Sequence, residues 1–323
     1  QNGKRVTAFV ELMARFDEER NVKAVDVLRQ AGVHIIHGVK DLKVHCKLVL
    51  VERMEGRQKN GYTYIGTGNF NEDTARLYSD VGLLTAAPGF AEDARRIFSV
   101  LDASHKPLEC ANLVVAPYHM RTFFSRLVEK EIKNARAGKS AYIFAKLNSL
   151  TDEGMIRLLY KAGAAGVEVR LIVRGACCLK PQVPGLSENI WAISIVDKFL
   201  EHARILIFCN ADEEKVYIAS ADWMPRNLDR RIEVAAPVDC PRLARTLRDI
   251  FAIQWSDNVK ARVLDDACCN SYHTGLTAVP CRSQLLLYDY YARKALRQGT
   301  SPKRRQKTDA AKARDNASRG AQI

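Results

Sequence analysis

The sequence lacks long apolar runs and an N-terminal targeting segment. No stretch reaches the roughly 18 uninterrupted apolar residues that a membrane-spanning helix needs. At the N-terminus, no basic segment leads into an apolar run and a cleavage site, as a signal peptide requires. The first residue is Gln1 rather than Met, so we expect the chain to be part of a longer protein. These absences argue against a transmembrane or secreted protein.

Paired-cysteine motifs are also missing, although the chain has nine cysteines. The number is odd, two pairs are adjacent in sequence (Cys177 with Cys178, Cys268 with Cys269), and no CxxC spacing occurs. Zinc sites and disulfide frameworks need other spacings. We therefore expect reduced thiols and a cytoplasmic protein, with peripheral association at the inner face of the membrane as an alternative location.

The excess of positive charge is concentrated at the C-terminus. The net charge is +13, of which residues 293–323 carry +8. The rest of the chain is only mildly basic, so the charge is weak evidence for a polyanionic partner, and nucleic acid is not the expected partner. Residues 298–323 are polar and have no apolar periodicity, which predicts a basic disordered tail.

The remaining sequence has the composition of a globular protein of two domains. Of the 323 residues, 47% are hydrophobic and 27% charged. Apolar patterning predicts an α/β protein whose halves have similar element orders. We predict a helix over 17–30 and strands over 5–12, 33–36, 44–51 and 62–66 in the first half. In the second half we predict a helix over 152–162 and strands over 141–147, 167–173, 190–195, 203–208 and 216–219.

The two halves also share short motifs, which indicates an internal duplication. Residues 30–36 (QAGVHII) are similar to 164–170 (AAGVEVR), and 64–69 (YIGTGN) to 217–222 (YIASAD). Each half carries a His-x-Lys/Arg motif at the start of an apolar strand: His45 with Lys47, and His202 with Arg204. A single such histidine is more often a core residue, but its repetition with a cation two residues later favours a function.

Histidine followed by a cation suits phosphoryl chemistry. Imidazole can act as a nucleophile or as an acid and base near neutral pH, and Lys or Arg can bind phosphate oxygens.

Longer motifs extend this pattern to a known family. The duplicated His-x-Lys/Arg motif resembles the phospholipase D superfamily, and the chain from about residue 3 to 295 resembles the C-terminal catalytic half of polyphosphate kinases of the first type. The matching segments are 10–19 (VELMARFDEE), 43–48 (KVHCKL), 65–71 (IGTGNFN), 74–78 (TARLY), 171–175 (LIVRG), 199–204 (FLEHAR), 220–229 (SADWMPRNLD) and 257–262 (DNVKAR).

The resemblance implies two tandem phospholipase-D-like α/β domains, over 1–107 and 108–297, with a site between them. It also implies reversible transfer of the terminal phosphate of ATP to inorganic polyphosphate through a phosphohistidine. The expected partners are ATP, ADP, polyphosphate and the family's N-terminal and head domains, and we expect a homo-oligomer.

The resemblance also implies roles for individual residues. His45 matches the phosphorylated histidine, and Lys47 would offset charge on the transferred group. His202 matches a second histidine that contacts nucleotide phosphate and donates a proton to the leaving oxygen. Tyr78 and Arg174 match further ATP contacts.

Other candidates belong to the same implied cleft. Arg15 matches a residue associated with Mg²⁺, and because Arg has no lone pair for a metal we expect it to contact the magnesium-bound phosphate instead. Further candidates line the cleft: Asn69, Arg76, Arg204, Asp222, Arg226 and Arg230. The acidic position of the phospholipase D pattern is filled by Glu52 in the first half and has no equivalent in the second.

Two alternatives stay open at this point. One is a phosphodiesterase or nuclease of the same superfamily, and the other is an inactive fragment that binds polyanions. The triplet at Gly138 is similar to the end of a P-loop, but the preceding helix predicts a helix C-cap there. We expect the tryptophans, Trp191, Trp223 and Trp255, to pack in the core rather than to stack on bases.

Overall fold

The computed structural model describes residues 2–11, 18–39, 42–103, 108–274 and 279–297. Arg15 and the predicted tail over 298–323 lie outside these ranges. Residues 1–284 form one compact unit that contains both histidine motifs, and residues 285–323 form a second. The predicted domain boundary adjoins residues 104–107, outside the described ranges, and stays a prediction.

The chain alternates strands and helices, and the predicted α/β class is confirmed. The first half contains β1 (Thr7–Val10), α1 (Glu18–Gln30), β2 (His34–His37), β3 (Lys43–Val44), β4 (Lys47–Glu55), β5 (Gln58–Gly66), α2 (Glu72–Leu77), β6 (Tyr78–Ser79), β7 (Gly82–Thr85) and α3 (Pro88–Asp102). The second half contains β8 (Val114–Ala116), α4 (Met120–Arg136), β9 (Tyr142–Leu147), α5 (Glu153–Ala164), β10 (Glu168–Val173), β11 (Ile190–Ile195), β12 (Leu200–Glu201), β13 (Ile205–Phe208), β14 (Lys215–Ala219), α6 (Pro225–Asp229), β15 (Arg231–Pro237), α7 (Pro241–Trp255) and β16 (Ala261–Val263). Helix α8 (Ser283–Arg297) follows.

A nine-stranded mixed sheet dominates the second half, in the order β16-β11-β10-β9-β13-β14-β15-β3, with β8 also paired to β15. Strands β9 and β10 run parallel, with Ile143 opposite Val169, whereas β13 runs antiparallel to β9. The central strands β9, β10 and β13 are mostly apolar, as is typical of strands with helices on both faces of the sheet. In the first half, β4, β5 and β7 form a three-stranded sheet, and β1 pairs with β2.

The main hydrophobic core lies between the nine-stranded sheet and helices α4 and α5. Phe124 of α4 is 1% exposed and stacks on Phe208 of β13, with ring centroids 6.3 Å apart. Leu171 of β10 and Leu159 of α5 are fully buried in the same core. This packing gives the second half a rigid base for the segments that follow its strands.

The first half leaves open the sheet face that corresponds to this core. Val49 and Val51 of β4 are 40% and 52% exposed. Their counterparts in the repeat, Leu206 and Phe208, are 1% and 0% exposed under α4. The duplicated halves therefore share a strand pattern but differ in the helical cover of that face.

Local sequence explains the ends of several helices. Asp152 caps α5 by accepting a hydrogen bond from the N–H of Met155 at 2.9 Å. Gly166 has a φ of +90° beyond the end of the same helix. Gly138 has a φ of +69°, and its N–H donates to the carbonyl of Ala135 at 2.9 Å, so the predicted helix C-cap is confirmed.

Two predicted strands differ from the structure at the histidine motifs. The strand predicted over 44–51 is interrupted at His45 and Cys46, between β3 and β4. The strand predicted over 203–208 begins only at Ile205, so His202 and Ala203 also lie between two strands. In both places the continuous strand was wrong, because the chain there bonds to the other half instead of continuing its own ladder.

Candidate active site

The two histidine segments are each attached to the opposite half of the chain. Strand β3, just before His45, pairs in parallel with β15, and β12, just before His202, pairs in parallel with β6. The N–H groups of His45 and Cys46 both donate to the carbonyl of Ile232, at 2.9 and 3.0 Å. The N–H groups of His202 and Ala203 both donate to the carbonyl of Ser79, at 3.0 and 2.9 Å. The two halves therefore hold their histidines in equivalent ways.

Each histidine contacts a carboxylate from the residue that follows this carbonyl. The His45 Nδ1 lies 2.9 Å from Glu233 Oε2, and the His202 Nδ1 lies 2.8 Å from Asp80 Oδ1. Because an ionised carboxylate can only accept, we assign the proton of each neutral ring to Nδ1. The Nε2 atom of each ring then carries the lone pair.

A hydroxyl group supports each carboxylate from the same relative position. Thr67 donates to Asp80 at 2.6 Å, and Ser220 donates to Glu233. Both hydroxyl residues precede their carboxylate by 13 positions. The hydroxyls also accept from the backbone, Thr67 from the N–H of Val81 and Ser220 from the next residue after Glu233. These bonds fix the orientation of both carboxylates.

The cation of each motif lies against its own histidine. Lys47 Nζ donates to the backbone carbonyl of His45, and Arg204 Nη1 donates to that of His202 at 2.9 Å. Both cations are buried, and Arg204 also pairs with Asp222, with an Nη2–Oδ2 distance of 3.2 Å. The positive charges therefore lie beside the rings at a fixed distance from them.

One difference separates the two rings. Arg204 Nη1 lies 3.2 Å from the Nε2 and 3.4 Å from the Nδ1 of His202, so a buried cation lies against both nitrogens of that ring. No hydrogen bond to the Nε2 of His45 occurs among the residues that the structure describes. The side chain of His45 is 23% exposed and that of His202 only 9%. The His45 Nε2 is therefore the more accessible nucleophile.

Burial changes the ionisation of this centre. It lowers the pKa of His45 below its ordinary value, and the hydrogen bond to Glu233 offsets part of that effect. Burial also lowers the pKa of His202, against the opposing effect of Asp80. Burial lowers the pKa of Lys47 to about 8. Both imidazoles are therefore neutral, and Lys47 mostly charged, at neutral pH.

Two of the residues matched to ATP contacts lie beside His202. The ring centroid of Tyr78 is 5.0 Å from that of His202. Arg174 Nε donates to Asn148 Oδ1 at 2.8 Å and to the carbonyl of Glu201, the residue before His202. The structure thus brings Tyr78, Arg174, His202 and Arg204 together.

Other candidates are less closely joined to this centre. Asn69 is exposed, two residues beyond Thr67. Arg76 forms an exposed ion pair with Glu72 at 2.5 Å. Arg226 and Arg230 are exposed around the short helix α6. The expected contribution of Arg76 to a cleft is therefore not evident from its contacts.

The acidic residue expected from the phospholipase D pattern is not part of the centre. Glu52 forms ion pairs with Arg95 at 2.6 Å and with Lys59 at 3.1 Å. The carboxylates that do contact the histidines, Asp80 and Glu233, were missed by the sequence analysis. A usable signal existed, because both follow the corresponding hydroxyl residue at the same spacing in the two halves.

The donor set fits a metal ion poorly. Within the described ranges, no three His, Cys, Asp or Glu side chains are grouped so as to hold an ion. Asp80, Glu233 and Asp222 already accept hydrogen bonds from a histidine or an arginine. Magnesium at this centre would therefore depend on ligands from substrate phosphates and water.

Comparison with known proteins identifies relatives over most of the chain. The family model "Polyphosphate kinase C-terminal domain 1" matches residues 1–107, and "Polyphosphate kinase C-terminal domain 2" matches residues 113–284. The polyphosphate kinase of Vibrio parahaemolyticus is 47% identical over 95% of this chain and 44% of its own length. That of Escherichia coli is 47% identical over 90% of this chain and 42% of its own length.

A solved structure agrees with these matches. The crystal structure of polyphosphate kinase from Porphyromonas gingivalis has a TM-score of 0.83 and 43% identity. The match covers 90% of this chain and 45% of that one. The chain thus spans less than half the length of the relatives it matches.

Proposed function

Because this chain belongs to the polyphosphate kinase family, we propose that it carries the phosphoryl-transfer centre of an ATP:polyphosphate phosphotransferase. The observation that supports this most directly is the pair of histidines, each with a carboxylate at Nδ1 and a cation at its backbone carbonyl. The reaction is the reversible transfer of the terminal phosphate of ATP to inorganic polyphosphate.

His45 is the proposed nucleophile. Its Nε2 lone pair attacks the γ-phosphorus of ATP, a P–N bond forms, and the bond from phosphorus to the β–γ bridging oxygen breaks to release ADP. Glu233, hydrogen-bonded at Nδ1, stabilises the positive charge that develops on the ring. In the second step a terminal oxygen of polyphosphate attacks the same phosphorus, and the P–N bond breaks.

Lys47 and His202 assist at the reacting group. Lys47 offsets the negative charge that two phosphate chains bring together. His202 contacts the nucleotide phosphate and gives a proton to the leaving oxygen, for which it must first take up a proton at Nε2. The hydrogen bond to Asp80 and the negative charge of bound phosphate both favour that uptake.

The remaining candidates bind phosphate. Arg174, whose Nε is bonded to Asn148, keeps its terminal nitrogens for two hydrogen bonds to one phosphate, and Tyr78 offers a hydroxyl. Arg204, which is bonded to Asp222, Thr67 and His202, adds a buried positive charge. Asn69 is a further donor, and Arg15 a contact to magnesium-bound phosphate. Mg²⁺ bound to the nucleotide phosphates would reduce their negative charge, and those phosphates and water would supply its ligands.

We also propose that further regions of the protein pack against this chain. The exposed face with Val49 and Val51 would be covered by chain from the regions that relatives carry outside this match, since the second half covers the same face with α4.

The nine free thiols support a reducing compartment and hence the cytoplasm. Among the described residues, no helix combines the length and the apolar content of a membrane span.

Intact-mass analysis after incubation with Mg²⁺ and either ATP or polyphosphate tests the proposal. We expect one added phosphoryl group that is lost in acid, as a phosphoramidate is, and that is absent in His45→Ala. His34→Ala is the matched control, because His34 is an exposed histidine paired with Asp102. A label that survives in His45→Ala would refute the nucleophile, and no label from either donor would favour a phosphodiesterase or an inactive fragment.

A further inference from the structure

The strands that carry the two carboxylates have one more position in common. In β6, Tyr78 lies two residues before Asp80. In β15, Arg231 lies two residues before Glu233. Tyr78 and Arg231 each pair, in parallel register, with the residue two positions before the histidine of the opposite half. The two side chains therefore occupy equivalent places in the repeat.

The contacts of Tyr78 indicate where the side chain of Arg231 lies. The ring centroid of Tyr78 is 5.0 Å from that of His202, which Asp80 also binds. Side chains two residues apart in a strand lie on the same side, so Arg231 is on the side of β15 from which the carboxylate binds His45. Two residues of a strand span about 7 Å, which an arginine side chain can bridge. The guanidinium is therefore within reach of a group bound to His45.

The guanidinium of Arg231 has no protein partner in the ranges that the structure describes. It forms no hydrogen bond and no ion pair there, although the residue is partly buried. Arg204, in contrast, pairs with Asp222. Burial lowers the pKa of Arg231, and the negative charge of Glu233 opposes this effect. A guanidinium nevertheless keeps its charge at physiological pH, so its five N–H donors are available to an anion.

The charges around Arg231 also favour an anion. Glu233 accepts hydrogen bonds from three other side chains, and Asp222 pairs with Arg204. The two remaining groups that act on the charge of Arg231 are the cations Arg204 and Arg226. No acid is thus bonded directly to the guanidinium, and binding of a phosphate would supply the missing partner.

We propose that Arg231 is a further catalytic residue, whose guanidinium binds the oxygens of the phosphoryl group that is transferred to and from His45. This role rests on the phosphotransferase function proposed above. In an in-line transfer, the P–N bond to His45 forms on one side of phosphorus while the bond to the leaving oxygen breaks on the other side. His202 and Tyr78 belong to the side of the leaving group, and Arg231 to the side of the nucleophile.

Arg231 acts through charge and hydrogen bonds alone. Its N–H groups donate to the non-bridging oxygens, whose negative charge would otherwise repel the approach of a nucleophile. No proton leaves the guanidinium, because its pKa is too high for it to act as an acid. The same oxygens are present in both half-reactions, so Arg231 should contribute equally to phosphorylation of His45 by ATP and by polyphosphate.

Single-turnover formation of the acid-labile label, with ATP and separately with polyphosphate as the donor, tests this role. Arg231→Ala should slow labelling at least about 100-fold with both donors, because a charged donor to the transferred group is lost. Arg231→Lys keeps the charge but not the forked geometry, and it should be about tenfold slower than the unsubstituted chain. Arg245→Ala, at an exposed position of α7, is the matched control and should label at the unsubstituted rate.

Two results of this measurement would overturn the proposal. One is a rate for Arg231→Ala within about threefold of the unsubstituted rate. The other is slowing with only one donor, because Arg231 would then bind that substrate and not the transferred group. Circular dichroism shows whether the variants are folded, and Arg231→Lys decides the question if Arg231→Ala is not.

Binding of inorganic phosphate, measured by calorimetry, separates this proposal from the proposed reaction. If neither donor labels the unsubstituted chain, the reaction is refuted, and phosphate then serves as the probe for Arg231. Arg231→Ala should weaken phosphate binding at least about tenfold. Equal binding by the two proteins, or no saturable binding by the unsubstituted chain, would in that case overturn the role of Arg231 as well.

Discussion

Replacing Glu233 by glutamine removes one negative charge from the centre while keeping the shape of the side chain. Glu233 is fully buried and accepts hydrogen bonds from His45, Ser220 and Asn227. A glutamine amide has one donor group where the carboxylate had an acceptor. The buried Oδ1 of Asn227 has no hydrogen-bond partner, so a flip of the Asn227 amide can accommodate the new donor. The introduced amide can then still accept from His45 through its carbonyl oxygen, so we expect E233Q to fold.

The expected cost follows from the loss of charge at the His45 Nδ1. A hydrogen bond to a charged group contributes about 1–2 kcal/mol more than one to a neutral group. This difference corresponds to phosphorylation of His45 that is about 5- to 30-fold slower. The substitution should slow the step in which His45 attacks phosphorus, because the ring becomes positively charged in that step and the carboxylate of Glu233 stabilises this charge.

Rapid-quench measurement of phosphoenzyme formation in a single turnover is the appropriate assay. Glu131→Gln is the matched control. Glu131 of α4 is another buried carboxylate, 1% exposed, and it accepts a hydrogen bond from the N–H of Asn210. Its loss should change the rate by less than about twofold. A rate for Glu233→Gln within this limit would refute the role of the carboxylate, as would an equal decrease in both variants.

Three further results are expected. The rate of phosphoenzyme formation should fall at alkaline pH with a midpoint of about 8, where Lys47 loses its proton. At acid pH the rate should fall only below 6.5, because burial lowers the pKa of His45. An acid midpoint above 6.5 would contradict this expectation. Lys146→Met should lower the free energy of unfolding, measured in urea, by about 3–5 kcal/mol, because it leaves the buried Glu201 without its cation. The double variant Lys146→Met/Glu201→Gln should recover most of that loss. Phe124→Ala should cost about 3–5 kcal/mol in the same measurement, and a loss under about 1 kcal/mol would show that this core position is not tightly packed.

Local pattern in the sequence was sufficient for some of the elements and for the two histidines, whereas helices such as α3 and α7 were not predicted. The apolar patterns of β9 and β10 are properties of a few consecutive residues. The repeated motif that marks His45 and His202 needs only a comparison of the two halves. Such features depend on near neighbours in the chain, so they can be predicted without coordinates.

The carboxylate partners depend on contacts that no local pattern encodes. His45 and Glu233 are 188 residues apart, and His202 and Asp80 are 122 apart. They meet because each histidine segment bonds to a strand of the opposite half. The prediction of one strand over 44–51 was wrong for the same reason. The apolar pattern continues through His45 and Cys46, but the backbone N–H groups of these two residues bond to Ile232 of the other half.

The α/β class, the duplication and the residue types of a phosphoryl-transfer centre follow from the amino-acid sequence alone. The packing of the two halves sets which acid contacts which histidine, and it leaves the side chain of His45 more exposed than that of His202, against which Arg204 lies. The same packing places Phe144 of β9 against Phe251 of α7, about 100 residues away in sequence, with ring centroids 5.4 Å apart. Pairings of this kind follow from the packing of whole elements, because the free energy that selects them comes from the buried core and not from the local chain.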